Sequence, residues 1–430
     1  MTQDSTPNTP SENPVDAEPY GRPLQRLQRL QRHSHHRIVI VGGGSAGISV
    51  AARLRRAGED DVALVDPSLW HYYQPLWTLV GAGVVAIEKS RRRQADVVPQ
   101  GVSWVRDAAV EIDPRARVVV TAGGARLGYD VLVLCPGLEL ALDMVPGLSE
   151  ALSGPSATTN YTADLAVKTS ELVRRLRGGR AVFCAPGSPI KCPGAPQKAA
   201  YLACDYWDRR GALGDVEVIY ATGAGGIFGV PEFARVLEGV VERYGIRARF
   251  SVELVEVDAE RRTATFETTD AKGKTRTGVD YDLLWAAPPQ RAPVFVREGA
   301  LGGTSAYGWV PVDRYSLRHA TYPEVFSLGD VCDAPTSKTG AAIRAQAPVV
   351  VENVLATLRG REPTARYDGY AACPFTTARG KMLLAEFDYS LTPHPTLPFI
   401  DTTRERYDMW LLKRYGLPAF YWHGMLRGLG

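Results

Sequence analysis

RIVIVGGGSAGISVAARL (37–54) reads as a short apolar strand, a glycine-rich turn and the opening of a helix, and DVALVD (61–66) adds a second strand. Gly42, Gly44 and Gly47 stand in G-x-G-x-x-G spacing directly behind the first strand. The first glycine permits a tight turn, the second lets the backbone approach a pyrophosphate, and the third lets helix and strand pack closely. Gly43, Ser45 and Ala46 complete the turn, where amides at the helix N-terminus face phosphate charge. Asp66 ends the second strand, placed to accept a hydrogen bond from a ribose hydroxyl. With both strands and the acid in place, the turn specifies a dinucleotide-binding βαβ unit.

Working outward, strands are expected at 102–112, 117–121 and 130–134. A second α/β block opens near 160, with a helix at 162–177, the strand AVFCA (181–185), a helix at 195–210 and the strand VEVIY (216–220). Residues 246–286 read as strands around the polar turn DAKGK (270–274), VFSLGD (325–330) as a strand ending in Gly-Asp, and 340–358 as a helix. The expected fold class is α/β, with two Rossmann-like dinucleotide-binding domains and a C-terminal amphipathic, aromatic segment. Residues 37–158 and 287–380 would form one discontinuous domain, 159–286 the second, and 381–430 the C-terminal segment. Residues 1–36, rich in Pro, Ser, Asn and charge, read as a tail that cannot fold alone, including the three-residue repeat LQRLQRLQR (24–32). In the second block AVFCA leads not into another glycine motif but into PGSPIKCPGAP, whose prolines 186, 189, 193 and 196 remove amide donors. Such a loop would hold nicotinamide phosphates poorly, which argues against NAD(P)H as reductant.

Bulk properties narrow the function by exclusion. The 430 residues call for more than one core, and 45% hydrophobic with 23% charged residues is ordinary for a globular protein. A net charge of +3, without a basic run interleaved with aromatics, points away from nucleic acid. Six scattered cysteines do not make a secreted disulfide framework, and no spacing suggests a metal site. No apolar run reaches the roughly 18–20 residues of a membrane span. The N-terminus lacks an apolar signal core, and Asp4, Glu12, Asp16 and Glu18 do not suit a transit peptide, so a cytoplasmic location is expected. The seven histidines are scattered, and His33, His35 and His36 fall in the expected tail.

Two cysteines stand out. Cys192 lies in SPIKCPGAPQK (188–198) and Cys373 in AACPFTT (371–377), both expected in proline-flanked loops that only the tertiary fold could join. Lys191 and Lys198 bracket Cys192; facing the thiol they would lower its pKa, and facing solvent they would be ordinary surface groups. Cys184, Cys204 and Cys332 read as buried, inert fillers. The segment YDMWLLKRYGLPAFYWHGMLRG (407–428) mixes aromatics and leucines with Lys413, Arg414 and Arg427. It fits either helices packed on the core or a helix lying in a membrane surface.

Together with HYYQPLWTLVGAG (71–83), IFGV (227–230), LGDVCDAPTSKTGAA (328–342), YDGYAACP (367–374) and LAEFDYS (384–390), these segments resemble the sulfide:quinone oxidoreductases, in the branch that includes the mitochondrial enzyme. The resemblance covers about residues 37–428, and its cysteine-bearing segments are its most specific part. It implies an FAD-dependent enzyme in which Cys192 and Cys373 are the redox pair. FAD contacts are implied from the 42–47 turn, Asp66, Gln74, Ala109, the Cys135–Gly137 turn, Asp330 and the Lys338–Gly340 stretch. TTNYTAD (158–164) lacks the cysteine that tethers flavin in some members, so FAD is expected to be noncovalent. The implied partners are hydrogen sulfide, a quinone as electron acceptor, a small sulfur acceptor (thiol, sulfite or cyanide) and a membrane surface, met from the inner face of a bacterial membrane. Lys338 would stabilise negative charge on the reduced ring. Two other readings share parts of the pattern: a type II NADH:quinone oxidoreductase, and a non-enzymatic redox-sensing flavoprotein.

Overall fold

The computed structural model describes residues 33–271 and 273–430. Strand β1 (His33–Val41) ends in the fully buried run Ile38–Val41 and leads through the glycine turn into α1 (Ser45–Arg56) and β2 (Val62–Val65). Strands β3 (Ser103–Val105), β4 (Ala109–Asp113), β5 (Val118–Thr121) and β6 (Arg126–Leu134) follow. β3, β2, β1 and β6 run parallel, and β5 and β4 form an antiparallel arm along the first half of β6. The parallel strands are apolar on both faces because α1 and the later helix Gly340–Leu358 cover one side and Ala292, Val296, Trp309 and Val310 pack on the other.

A second unit comprises α2 (Ala163–Arg175), β7 (Gly179–Ala185), α3 (Ala195–Asp208), β8 (Val216–Thr222), α4 (Pro231–Arg243) and β9 (Arg247–Arg249). A meander, β10 (Val252–Asp258), β11 (Thr263–Asp270) and β12 (Gly273–Asp280), precedes β13 (Leu283–Ala286). The short strand Ala157–Thr158, β13, β7, β8 and β9 make a parallel sheet in that order. Thr162 starts α2 by accepting a hydrogen bond from Leu165 N–H at 3.4 Å, a side-chain cap.

The chain then returns to the first sheet. β14 (Val325–Ser327) pairs with the second half of β6, and α5 (Gly340–Leu358), capped by Thr339 accepting from Ala342 N–H, packs on α1. A hairpin of β15 (Ala371–Ala378) and β16 (Lys381–Phe387) leads to α6 (Tyr407–Leu411), a π-helical turn at Leu412–Gly416, and α7 (Leu417–His423). β15 lies against α3 of the second unit. α7 and the residues after it lie against the first: Tyr421, Trp422, Met425 and Leu426 share one core cluster with Ile48 and Leu54 of α1.

Two features differ from the sequence expectations. Strand β1 begins earlier than residue 37, because His33–His36 extend it in register with Arg126–Tyr129. His35 and His36 bond Asp130 and Asp61, which gives these polar residues partners at the sheet margin. The earlier part of the expected tail, with its leucine-glutamine-arginine repeat, lies outside the described residues. AACPFTT is strand rather than loop: Pro374 is tolerated because β15 is half of a two-stranded ribbon with a free edge.

Candidate active site

The turn after β1 is shaped by close backbone approach. Gly42 has φ +105°, and any Cβ there would overlap the Cys135 carbonyl at the end of β6. A Cβ on Gly47 would overlap the Gly42 carbonyl, so helix and turn touch through backbone alone. Gly44, by contrast, has no atom within 4 Å on its Cβ side. Asp66 accepts from Gly43 N–H at 2.6 Å and from Ser68 N–H at 2.8 Å. A backbone cradle with open space before a helix N-terminus, and a carboxylate beside it, fits a dinucleotide.

The other residues that the sequence singles out lie at strand ends, turns and helix starts. Ala46 is buried and faces Gly329, which with Asp330 forms a tight turn after β14. Cys135 is buried, its thiol 3.6 Å from the Gly42 carbonyl, and burial pushes its pKa far above the ordinary thiol range. Gly137 has φ +77° two residues later. Gln74 is exposed in a 3₁₀ turn with Pro75, and Gly340 at the start of α5 faces Pro75. Ala109 opens the antiparallel arm, opposite Thr121.

Lys338 joins this region to the cysteines. Its carbonyl accepts from Cys192 N–H at 2.8 Å, its ammonium donates to the Cys332 carbonyl at 2.6 Å and stands 4.3 Å from the Trp309 ring centre. Burial lowers the Lys338 pKa and raises that of Asp330, while Lys191 and then Lys338 pull Asp330 back.

Cys192 and Cys373 come together. Cys192 sits three residues before α3 with φ +49°, a conformation costly for a side chain with a Cβ. Cys373 projects from β15 and is 1% exposed. The Lys198 ammonium, one turn into α3 and itself 1% exposed, lies 3.0 Å from Cys192 Sγ and 3.7 Å from Cys373 Sγ. The approach depends on Gly194, where a Cβ would stand 2.5 Å from Cys373 Sγ and 2.6 Å from the Phe375 ring. Neither cysteine is in a disulfide, and the two sulfurs share the Lys198 ammonium.

The electrostatics split the pair. The hydrogen bond from Cys373, followed by the Lys198 charge, holds Cys192 well below the usual thiol range against the opposing effect of burial. Cys373 is pushed well above it by that same bond and by burial. Burial alone would depress Lys198, but the charge on Cys192 and then Cys373 raises it above the ordinary lysine value. The reduced site is therefore a thiolate, an ammonium and a thiol. Lys191 is half-buried, its N–H donating to Gln290 Oε1 at 2.8 Å. Burial likewise raises Cys184, Cys204 and Cys332, as expected of inert thiols.

Several participants are not legible in the sequence. Tyr161 donates to the Cys192 carbonyl at 3.4 Å. Lys413, grouped with surface basic residues by its neighbours, is 1% exposed and donates to the Pro75 carbonyl at 2.8 Å. Burial and then the Lys198 charge bring its pKa down to about 7, the sulfur charges opposing. Three buried donors without a partner among the described residues neighbour these groups: Asn160 Nδ2 beside Tyr161, Gln290 Nε2, whose oxygen holds Lys191, and Trp309 Nε1 under Lys338. In the second unit nine residues, 186–194, separate β7 from α3, against three between β1 and α1. The Glu253 carboxylate of β10 accepts from Gly187 N–H at 2.7 Å at the start of that loop.

Residues 36–348 match the family model described as pyridine nucleotide-disulphide oxidoreductase. The mitochondrial sulfide:quinone oxidoreductase of Mus musculus is 36% identical over 396 residues, covering 92% of this chain and 87% of the relative. That of Dictyostelium discoideum is 40% identical over 395 residues, covering 91% and 86%. The crystal structure of the Aquifex aeolicus sulfide:quinone oxidoreductase superposes with a TM-score of 0.76 at 21% identity, covering 92% of each chain, which shows a shared fold.

Two outcomes are expected from this geometry. Lys198→Met should cut the rate of Cys192 methylthiolation at pH 6 by about tenfold, measured by mass spectrometry, with a smaller effect at pH 9, because the thiolate loses its counter-ion. Lys413 has a folded pKa near 7, below its unfolded value, so protons are released on folding between those values and stability rises with pH across that window. Lys413→Met should therefore gain most over wild type below pH 7, by roughly 3–5 kcal/mol in denaturant unfolding, with the gain shrinking towards pH 10.

Proposed function

Since this chain belongs to the pyridine nucleotide-disulphide oxidoreductases and, within them, to the sulfide:quinone oxidoreductases, we propose that it oxidises hydrogen sulfide at Cys192 and Cys373 and passes two electrons by way of FAD to a quinone. The observation that carries this reading is the pair of sulfurs, far apart in sequence, sharing one buried ammonium.

In the oxidised site the two sulfurs form a bridge. Hydrosulfide attacks one of them; a new S–S bond joins the substrate sulfur to that cysteine, the bridge bond breaks, and the other cysteine leaves as a thiolate. Lys198 stabilises that leaving charge from either side, and the N-terminus of α3, three residues beyond Cys192, adds its dipole. Tyr161 and Lys338 hold the Cys192 backbone by its carbonyl and N–H. The outer sulfur of the persulfide goes to a small acceptor such as a thiol, sulfite or cyanide.

FAD, when bound, supplies the two-electron acceptor that returns the sulfur pair to its oxidised state and reduces the quinone. The residues that would hold it, without a covalent tether, are Gly42, Gly43, Gly44, Ser45, Ala46, Gly47, Asp66, Gln74, Ala109, Cys135, Gly137, Asp330, Lys338 and Gly340. A type II NADH:quinone oxidoreductase reading is disfavoured by the nine-residue proline loop and by Glu253, which takes the Gly187 N–H and adds negative charge where a phosphate would come.

Quinone access implies a membrane surface, with the cytoplasmic face of a bacterial membrane as the proposed one. Among the described residues no helix is long and apolar enough to cross a membrane. The C-terminal segment exposes Leu397, Phe399, Tyr407, Leu411, Tyr415 and Phe420, with Phe399 81% exposed, and these would lie at the lipid interface. Trp410, Tyr421 and Trp422 face the core instead, so only part of this aromatic segment is free to meet lipid.

Anaerobic sulfide should bleach the bound flavin of the wild type, and NADH should not. Cys192→Ser and Cys373→Ser should each abolish sulfide bleaching while retaining FAD; normal bleaching in either variant would defeat the two-cysteine mechanism. The double variant Phe399→Ser/Tyr415→Ser should bind phospholipid vesicles at least about tenfold more weakly in flotation, from lost apolar burial. Unchanged flotation would remove the proposed membrane face.

A further inference from the structure

The last helix of the chain reaches back to the turn at its beginning. The Tyr421 hydroxyl on α7 lies 2.5 Å from His71 Nε2 and 2.7 Å from Ser45 Oγ, with its ring 4.3 Å from that of Tyr73. The segment is anchored beyond this point: Met425 and Leu426 are buried, Gly428 lies against the backbone of Ala52 and Arg53, and the Arg53 guanidinium donates to the Gly430 carbonyl.

The chemistry at the far end of the chain of hydrogen bonds fixes the direction of each. The Gly43 carbonyl can only accept, and His71 Nδ1 lies 3.1 Å from it, so Nδ1 carries the proton. Burial keeps the imidazole neutral at ordinary pH, its pKa brought down to about 4 although the bonds to Gln94 and Gly43 oppose this. Nε2 is then an acceptor, the Tyr421 hydroxyl donates to it, and the Ser45 hydroxyl donates to the Tyr421 oxygen. The Gly43 carbonyl also accepts from Gln94 Nε2 at 2.8 Å. Two donors thus pin this carbonyl inward. In a planar trans peptide the following N–H points the opposite way, so Gly44 N–H is turned away from His71 and Gln94.

We propose that Tyr421 is a positioning residue for the dinucleotide: by donating to Nε2 it supports the Nδ1–H tautomer that the Gly43 carbonyl selects in His71, and so helps to hold the Gly43–Gly44 peptide with its N–H aimed at the pyrophosphate. This rests on the reading that the 42–47 turn holds FAD. A residue 376 positions away from Ser45 thereby belongs to the phosphate cradle without touching the phosphate.

Tyr421→Phe keeps the ring packing and removes the donor. Apoprotein reconstituted with FAD, followed by quenching of flavin fluorescence, should show a dissociation constant about tenfold weaker than wild type. A lowered thermal midpoint with an unchanged FAD dissociation constant overturns the proposal, because the hydroxyl would then be structural only. Failure of the wild-type apoprotein to take up FAD overturns the reading of the turn as well. A second measurement needs no variant: ¹⁵N spectra of histidine-labelled holoprotein should show His71 as the Nδ1–H tautomer, and the Nε2–H tautomer overturns the proposal.

Discussion

A single ammonium shared by two sulfurs organises the centre of this molecule. Lys198 is almost wholly buried, and a buried cation is costly unless negative charge stands against it. Cys192 supplies that charge, Cys373 brings a second sulfur from a distant part of the chain, and the surrounding backbone is arranged to let them. Cys192 accepts a left-handed conformation, Gly194 forgoes a side chain, and β15 of the late hairpin lays Cys373 against α3. Each is a local departure from what strand, turn or helix would prefer, and each brings a sulfur closer to the nitrogen.

The same architecture serves two purposes in the two halves of the chain. In the first, three residues carry β1 into α1, and the Cβ side of Gly44 before the helix is open. In the second, nine residues intervene, and the helix N-terminus faces a thiol. The carboxylates make the contrast plain. Asp66 lies 2.6 Å from Gly43 N–H at the end of β2, and Glu253, from β10, lies 2.7 Å from Gly187 N–H in the loop after β7. A carboxylate beside the first turn of each unit is retained, whereas the phosphate cradle itself is not.

Much of this was readable from sequence because it rests on local rules. The glycine spacing at 42–47 and the apolar runs at 37–41, 181–185 and 216–220 place both sheets, with boundaries moved by a few residues. The hairpin bearing Cys373 escaped the local rules because Pro374 signals a loop, and only the free edge of a two-stranded ribbon makes it tolerable. Lys413 was illegible for a different reason. Its neighbours Arg414 and Tyr415 are exposed or partly so, and a π-helical turn rotates the lysine alone inward. Gly194 looked like one more loop glycine, and its function depends on a sulfur 179 residues later in the chain.

The contacts between α1 and the end of the chain bear on how the protein is made. Synthesis proceeds from the N-terminus, and domains ordinarily fold as they emerge. Here Ser45 and His71 wait for Tyr421, and Arg53 waits for the carbonyl of Gly430. The first βαβ unit thus leaves the ribosome well before the segment that completes its contacts. A newly made chain therefore passes through an interval in which Ser45 and His71 lack the hydroxyl that joins them.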